Sequence, residues 1–185
     1  MNYFLTIKHK SNYPLKYGLQ NKVNGSWLGV GRFVKENTDS VLIYEDAANS
    51  KVSYEDLIRQ DVIETVGGGL LISERFKDLI TAHFKSDVQM LSTAFTYQGI
   101  LNSSYVALNV FNKVECYDLD KSAYTKHPVD NSLKFTQTVL QTTPLEEYGF
   151  EYNVVRSQED NKIVVSELFK SLVEAAKING VGFKK

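Results

Sequence analysis

The chain has 185 residues, with 21 Lys+Arg against 22 Asp+Glu, a formal net charge of −1, an aromatic share of 12% and only three prolines. A chain of this length buries roughly 70% of its unfolded surface without a metal or disulfide staple. The composition excludes a disordered or collagen-like chain, and the charge balance excludes a uniformly basic nucleic-acid coat. Cys116 is the single cysteine, so no internal disulfide exists. The start, Met1–Lys8, lacks the basic, apolar and small-residue order of a secretory signal. No run approaches the 18 or so apolar residues of a spanning helix. The expectation is a soluble, cytoplasmic protein with neither a membrane nor a nucleic-acid partner.

In chain order, Tyr3, Leu5 and Ile7 alternate with Phe4, Thr6 and Lys8, predicting a strand. Trp27–Val34, after the turn signal Asn24-Gly25, reads as a second strand and Ser40–Glu45 as a third. Ser53 followed by Glu55 and Asp56 marks a short helix start, and Gly67-Gly68-Gly69 a flexible break. In Leu70–Ile80 an apolar run ends at Ser73, a residue able to cap a helix. Phe76, Leu79, Ile80 and His83/Phe84 then fall at helical spacing and predict the buried stripe. The same pattern returns 93 residues later: Ser73, Glu74, Phe76, Lys77 and Leu79 recur as Ser166, Glu167, Phe169, Lys170 and Leu172. This predicts a duplicated strand–cap–helix–strand unit over 71–90 and 164–183, with Asn179-Gly180 as the second helix stop. Between the copies, Tyr105–Phe111 and Val114–Tyr117 read as strands, or as one strand bulged near Asn112-Lys113. Leu133–Leu140 and Phe150–Val155 add two more. Strands and helices do not alternate, so the expected fold is α+β, with a mixed, mainly antiparallel sheet and two capped helices. We expect one domain over 1–185, with a β-rich portion over 1–65 and the repeat-bearing portion over 66–185.

Candidate chemistry is sparse. His9, His83 and His127 are far apart and none has a metal-ligand neighbour at useful spacing. Cys116, between Glu115 and Tyr117, lacks the electropositive setting of a nucleophile. Gly29-Val30-Gly31 begins a dinucleotide fingerprint, but Val34 stands where the third glycine belongs. No Gly-Lys-Ser/Thr follows the glycine triplet. Asp118 and Asp120, with Ser122 beyond, are spaced as oxygen ligands or as a side-chain-bonded turn. The expectation is no cofactor and no metal.

Charge order is the feature that remains. Residues 1–35 carry six Lys or Arg and no acid, a net +6. Residues 36–64 carry eight acids, Glu36 and Asp39 among them, against Lys51 and Arg59, a net −6. Residues 144–160 carry Glu146, Glu147, Glu151, Glu159 and Asp160 against Arg156, a net −4. Such stretches either steer a basic partner or neutralise each other across a sheet. Tyr13, Tyr17 and Trp27, with Glu45, Asp46, Glu55 and Asp56, are the candidate partner-binding residues, since Tyr and Trp serve as interface anchors.

Three segments carry a resemblance: Tyr105–Val110, Val114–Ser122, and Ile163–Lys170 with its ending Gly180–Phe183. In this order, together with Leu71–Phe76, they resemble a group of bacterial immunity proteins of polymorphic toxin systems, from about residue 60 to the C-terminus. The resemblance implies a non-enzymatic protein that binds and neutralises a cognate secreted antibacterial toxin, protecting the producing cell and its kin. It brings no catalytic residues. Two alternatives stay open: a small metal- or ligand-binding enzyme centred on Asp118–Ser122, and a structural adaptor of a secretion system. Oligomeric state is not legible.

Overall fold

A computed structural model describes residues 1–8, 13–35, 41–48 and 50–185. His9, Lys10, Glu36, Asp39 and Ser40 lie outside the described residues. In chain order the first elements are β1 (Asn2–Ile7), β2 (Leu15–Tyr17), α1 (Gly25–Val30), β3 (Leu42–Asp46), α2 (Tyr54–Ile58), β4 (Val62–Val66), β5 (Leu70–Ile72), α3 (Glu74–His83), β6 (Val88–Tyr97) and β7 (Ile100–Asn102). There follow β8 (Val106–Val110), β9 (Lys113–Val114), β10 (Ala123–Lys126), β11 (Leu133–Gln137), β12 (Leu145–Glu147), β13 (Phe150–Tyr152), β14 (Val154–Ser157), β15 (Ile163–Ser166), α4 (Glu167–Ala175) and β16 (Val181–Lys184). The class is α+β with mainly antiparallel strands.

Two sheets organise the chain. Strands β3-β2-β4-β5-β8-β6 form one, and an extra β3–β6 pairing closes them into a small barrel from which β7 extends. The other sheet has the order β16-β1-β15-β14-β9. Leu15, Leu28, Tyr44, Leu57, Ile63, Leu71 and Phe95 fill the barrel and are essentially inaccessible. A second core lies where α3 and α4 meet the sheets: Phe169 stacks 5.0 Å from Phe84 and 6.3 Å from Phe76, within the range of favourable ring pairs. A third, smaller core joins Phe4, Val114, Cys116, Tyr117, Leu145 and Val155.

The repeated pattern has the same local chemistry in both copies. Ser73 Oγ accepts from Phe76 N–H at 3.3 Å, and Ser166 Oγ accepts from Phe169 N–H at 3.2 Å. Each hydroxyl also donates to the residue just before the strand that pairs with its own, Ser73 to Asp61 Oδ1 ahead of β4 at 2.7 Å and Ser166 to Asn153 Oδ1 ahead of β14 at 2.8 Å. The strands correspond as well. β4-β5-β8-β6 and β14-β15-β1-β16 are both antiparallel quartets, with Val62 opposite Ile72 in one and Val154 opposite Val165 in the other. The place that β8 holds in the first quartet is held in the second by β1, from the opposite end of the chain. The two units are clasped reciprocally. Asn153 N–H donates to Asp87 Oδ2 just before β6, and Asn179 N–H donates to Asp61 Oδ2 at 2.8 Å just before β16.

Several sequence expectations are corrected. Trp27–Val34 does not form a strand. Asn24 Oδ1 accepts from Ser26 N–H at 3.0 Å and Gly31 takes the left-handed conformation at φ 69, so the segment starts and stops as the helix α1. Of the two readings of Tyr105–Tyr117, two strands hold and the single bulged strand does not: β8 joins the barrel and β9 pairs in parallel with β14 in the other sheet. Phe150–Val155 likewise breaks at Asn153, where the chain leaves a two-stranded hairpin for the five-stranded sheet. His83 is exposed at the end of α3, its ring 5.9 Å from that of Phe84, so the buried stripe continues through Phe84 alone. α4 ends earlier than Asn179-Gly180. Lys177 takes φ 53, and its N–H and that of Ile178 donate to Glu174 O and Val173 O, which closes the helix.

Candidate partner-binding surfaces

The amino-terminal candidates are placed on β2, α1, β3 and α2, with Tyr13 in the segment just before β2, and many of their polar groups are used within the fold. Tyr17 donates to Val23 O at 2.9 Å and packs edge-on to Tyr44 at 5.2 Å; burial pushes its phenol up to about 12. Trp27 is half-buried under the Arg32 guanidinium, 4.3 Å from the ring centre. Glu45 lies opposite Lys16 across β2–β3 and pairs with it at 3.6 Å, so one basic and one acidic stretch do neutralise each other there. Asp46 accepts from Gln98 N–H at 3.0 Å. Asp56 completes the Ser53 cap and pairs with Arg59 at 3.6 Å. Tyr13 and Glu55 are exposed.

The Asp118–Ser122 segment is a turn. Asp118 O accepts from Ser122 N–H at 2.9 Å, and Lys121 Nζ donates to Asp118 Oδ2 at 2.6 Å; that ammonium holds the Asp118 carboxyl below its ordinary range. Among the described residues no group of three or more His, Cys, Asp or Glu could hold a metal ion. Cys116 is wholly buried, its thiol donates to Val114 O at 3.2 Å, and burial beside Glu159 and Asp160 pushes its pKa up, away from thiolate chemistry. His127 pairs with Asp130 at 3.0 Å in the exposed loop between β10 and β11.

A cleft of about 440 Å³ runs between β1, the β4–β5 turn and α1, with Arg156 in its wall. Arg156 is 8% exposed and has no ion-pair partner among the described residues; its three nitrogens donate to Val110 O, Asn161 O and Leu28 O at 2.9–3.0 Å. Burial pushes the guanidinium down to about 10. All three nitrogens are committed to carbonyls that join α1, β8 and the loop after β14. This cation is a clamp for the fold.

The β12–β13 hairpin differs. Leu145, 2% exposed, and half-buried Tyr152 root it in the third core. Beyond the root, Glu146 sits directly opposite Glu151 and Glu147 opposite Phe150. Tyr148 and Gly149 form the tip, both at positive φ (53 and 80). Tyr148 is 91% exposed and Phe150 66%. The acids of this hairpin stand out in the sequence as charge, whereas Tyr148 and Phe150 do not stand out there. The signal that could have found them is the Tyr-Gly pair between two short Glu-bearing runs, a two-residue turn flanked by strands.

The model of the immunity protein family Imm11 matches residues 39–185. The chain belongs to the Imm11 immunity protein family. The Imm11 match begins about twenty residues earlier than the resemblance read from the sequence and so also takes in β3 and α2. It contains both capped helices and the β12–β13 hairpin. It does not contain β1, which nevertheless pairs with β15 and β16 in the five-stranded sheet. No curated protein matches this chain.

Proposed function

We propose that this Imm11 protein binds a cognate secreted antibacterial toxin in the cytoplasm and blocks it, protecting the producing cell and its kin. The observation that carries this reading is the family match, which spans both helix units and most of both sheets. The action is steric and electrostatic, with no covalent step and no cofactor: a complex of ordinary size covers about 1,200–2,000 Å² and depends on a few anchors. Of the amino-terminal candidates, Tyr13, Trp27, Asp46, Glu55 and Asp56 retain accessible atoms and are proposed as a secondary contact area. Tyr17 and Glu45 serve mainly the fold through Val23 and Lys16. The test is co-expression with the toxin encoded beside it. Survival of the host and co-purification of the two proteins are expected; unchanged killing without co-purification would refute the reading.

A further inference from the structure

The β12–β13 hairpin departs from the rest of the molecule in what it leaves uncovered. Where charges oppose each other across β2–β3, Lys16 meets Glu45. Across β12–β13, Glu146 meets Glu151, and like charges directly opposite weaken an antiparallel pair. Among the described residues no cation or hydrogen-bond donor is paired with the carboxylate of Glu146, Glu147 or Glu151. Tyr148 holds the first central position of a turn with two positive φ values, a place suited to Asn, Asp or Gly, and it projects 91% exposed. Phe150, two residues on, is 66% exposed. Each of these choices costs the free protein stability. Each is also what a docking surface uses: rings for anchors, and an unneutralised rim to meet opposite charge. Loss of stability at positions kept for binding is a common trade.

We infer that this hairpin is the primary docking element for a basic protein surface, with Tyr148 and Phe150 as apolar anchors and the three glutamates facing Lys or Arg of the partner. The inference rests on the proposed toxin-binding function and names the partner's face as cationic. Charge complementarity commits it to that occupant. A two-fold contact between copies of this chain would set the same carboxylates against each other, because such an interface is self-complementary. The hairpin is rooted by Leu145 and Tyr152, so changes at its tip leave the core contacts of both in place.

The test uses the full chain and the purified toxin encoded beside it, with binding rates measured at low and physiological salt. Tyr148→Asn combined with Phe150→Ser should weaken binding at least about 30-fold, the loss expected of an anchor. Glu146→Lys should lower the association rate and flatten its salt dependence, since steering is the ionic contribution. It should also leave the melting temperature unchanged or raised, because it replaces a repulsive cross-strand pair with an attractive one. A merely structural role for Glu146 predicts the opposite shift. Asp78→Lys, the same charge change on the exposed face of α3, serves as the control. If the native chain binds the toxin and the hairpin variants bind within about threefold of it, the hairpin inference is overturned and toxin binding survives. If the native chain does not bind, both fall. Self-association of the free chain, lost in the Tyr148/Phe150 variant, would overturn the assignment to a basic partner.

Discussion

Replacing Asp61 by alanine should unclasp the two halves of the molecule and show it in the pH dependence of stability. The Asp61 side chain is 7% exposed and accepts from Ser73 Oγ at 2.7 Å, Asn179 N–H at 2.8 Å and the Arg75 guanidinium. Burial pushes the carboxyl up, but the bonds from Arg75, Asn179 and Ser73 reverse this and leave it below its ordinary value. Arg75 is 54% exposed and keeps its bond to Lys177 O, so loss of the ion pair itself counts for at most about 1 kcal/mol. The Ser73 and Asn179 bonds go to a charged acceptor and are each worth about 1.5 kcal/mol or more. The sum is about 3–4 kcal/mol, a large part of a typical 5–15 kcal/mol total. A carboxyl lowered by folding contributes fully above its unfolded pKa of about 3.9 and loses that contribution as pH falls through the folded value. Urea unfolding of wild type and Asp61→Ala should therefore differ most at pH 7, with the gap closing below about pH 4. A gap under about 1 kcal/mol at pH 7, or one that stays constant to pH 3, would refute the clasp.

Three further outcomes follow from the same structure. Phe169→Ala, at a wholly buried ring between Phe76 and Phe84, should cost about 3–5 kcal/mol in urea unfolding, because the cavity lies where both helices meet. Lys177→Gly should stabilise by about 1 kcal/mol, since Lys177 closes α4 at φ 53, a conformation that costs a side chain and not a glycine; a calorimetric melt checks the sign. Cys116 should resist an aromatic disulfide reagent in the native state at pH 8 and react fully in denaturant, because burial raises its thiol pKa and removes access. Fast native labelling would contradict that placement.

The parts of the fold legible in the sequence were those whose cause is local. Ser73 and Ser166 announce their helices because a cap needs only its own first turn, and the apolar spacing after each serine fixes the buried face. The misread parts depend on partners far away in the chain. Asn153 breaks what looks like one strand because its N–H is held by Asp87, 66 residues earlier. β8 and β9 separate because β5 and β6 claim one and β14 the other. α1 was hidden by Trp27, Val30 and Val34, residues at home in strands, while its start and stop lie in Asn24 and Gly31. The candidate surface was half legible. The acids of 144–160 were visible as composition, but the repulsion of Glu146 and Glu151 exists only in the strand register, and charge totals carry no register.

In the proposed function, this Imm11 protein acts by occupying its toxin. Titration of the toxin's activity with the purified chain, with the mass of each protein determined afterwards, decides whether it does. Binding predicts that activity falls linearly to zero at a fixed stoichiometric ratio, with both masses unchanged and full activity regained on separation. Neutralisation at far below stoichiometric amounts, or a lasting change in the toxin's mass, would contradict it and point to an enzyme.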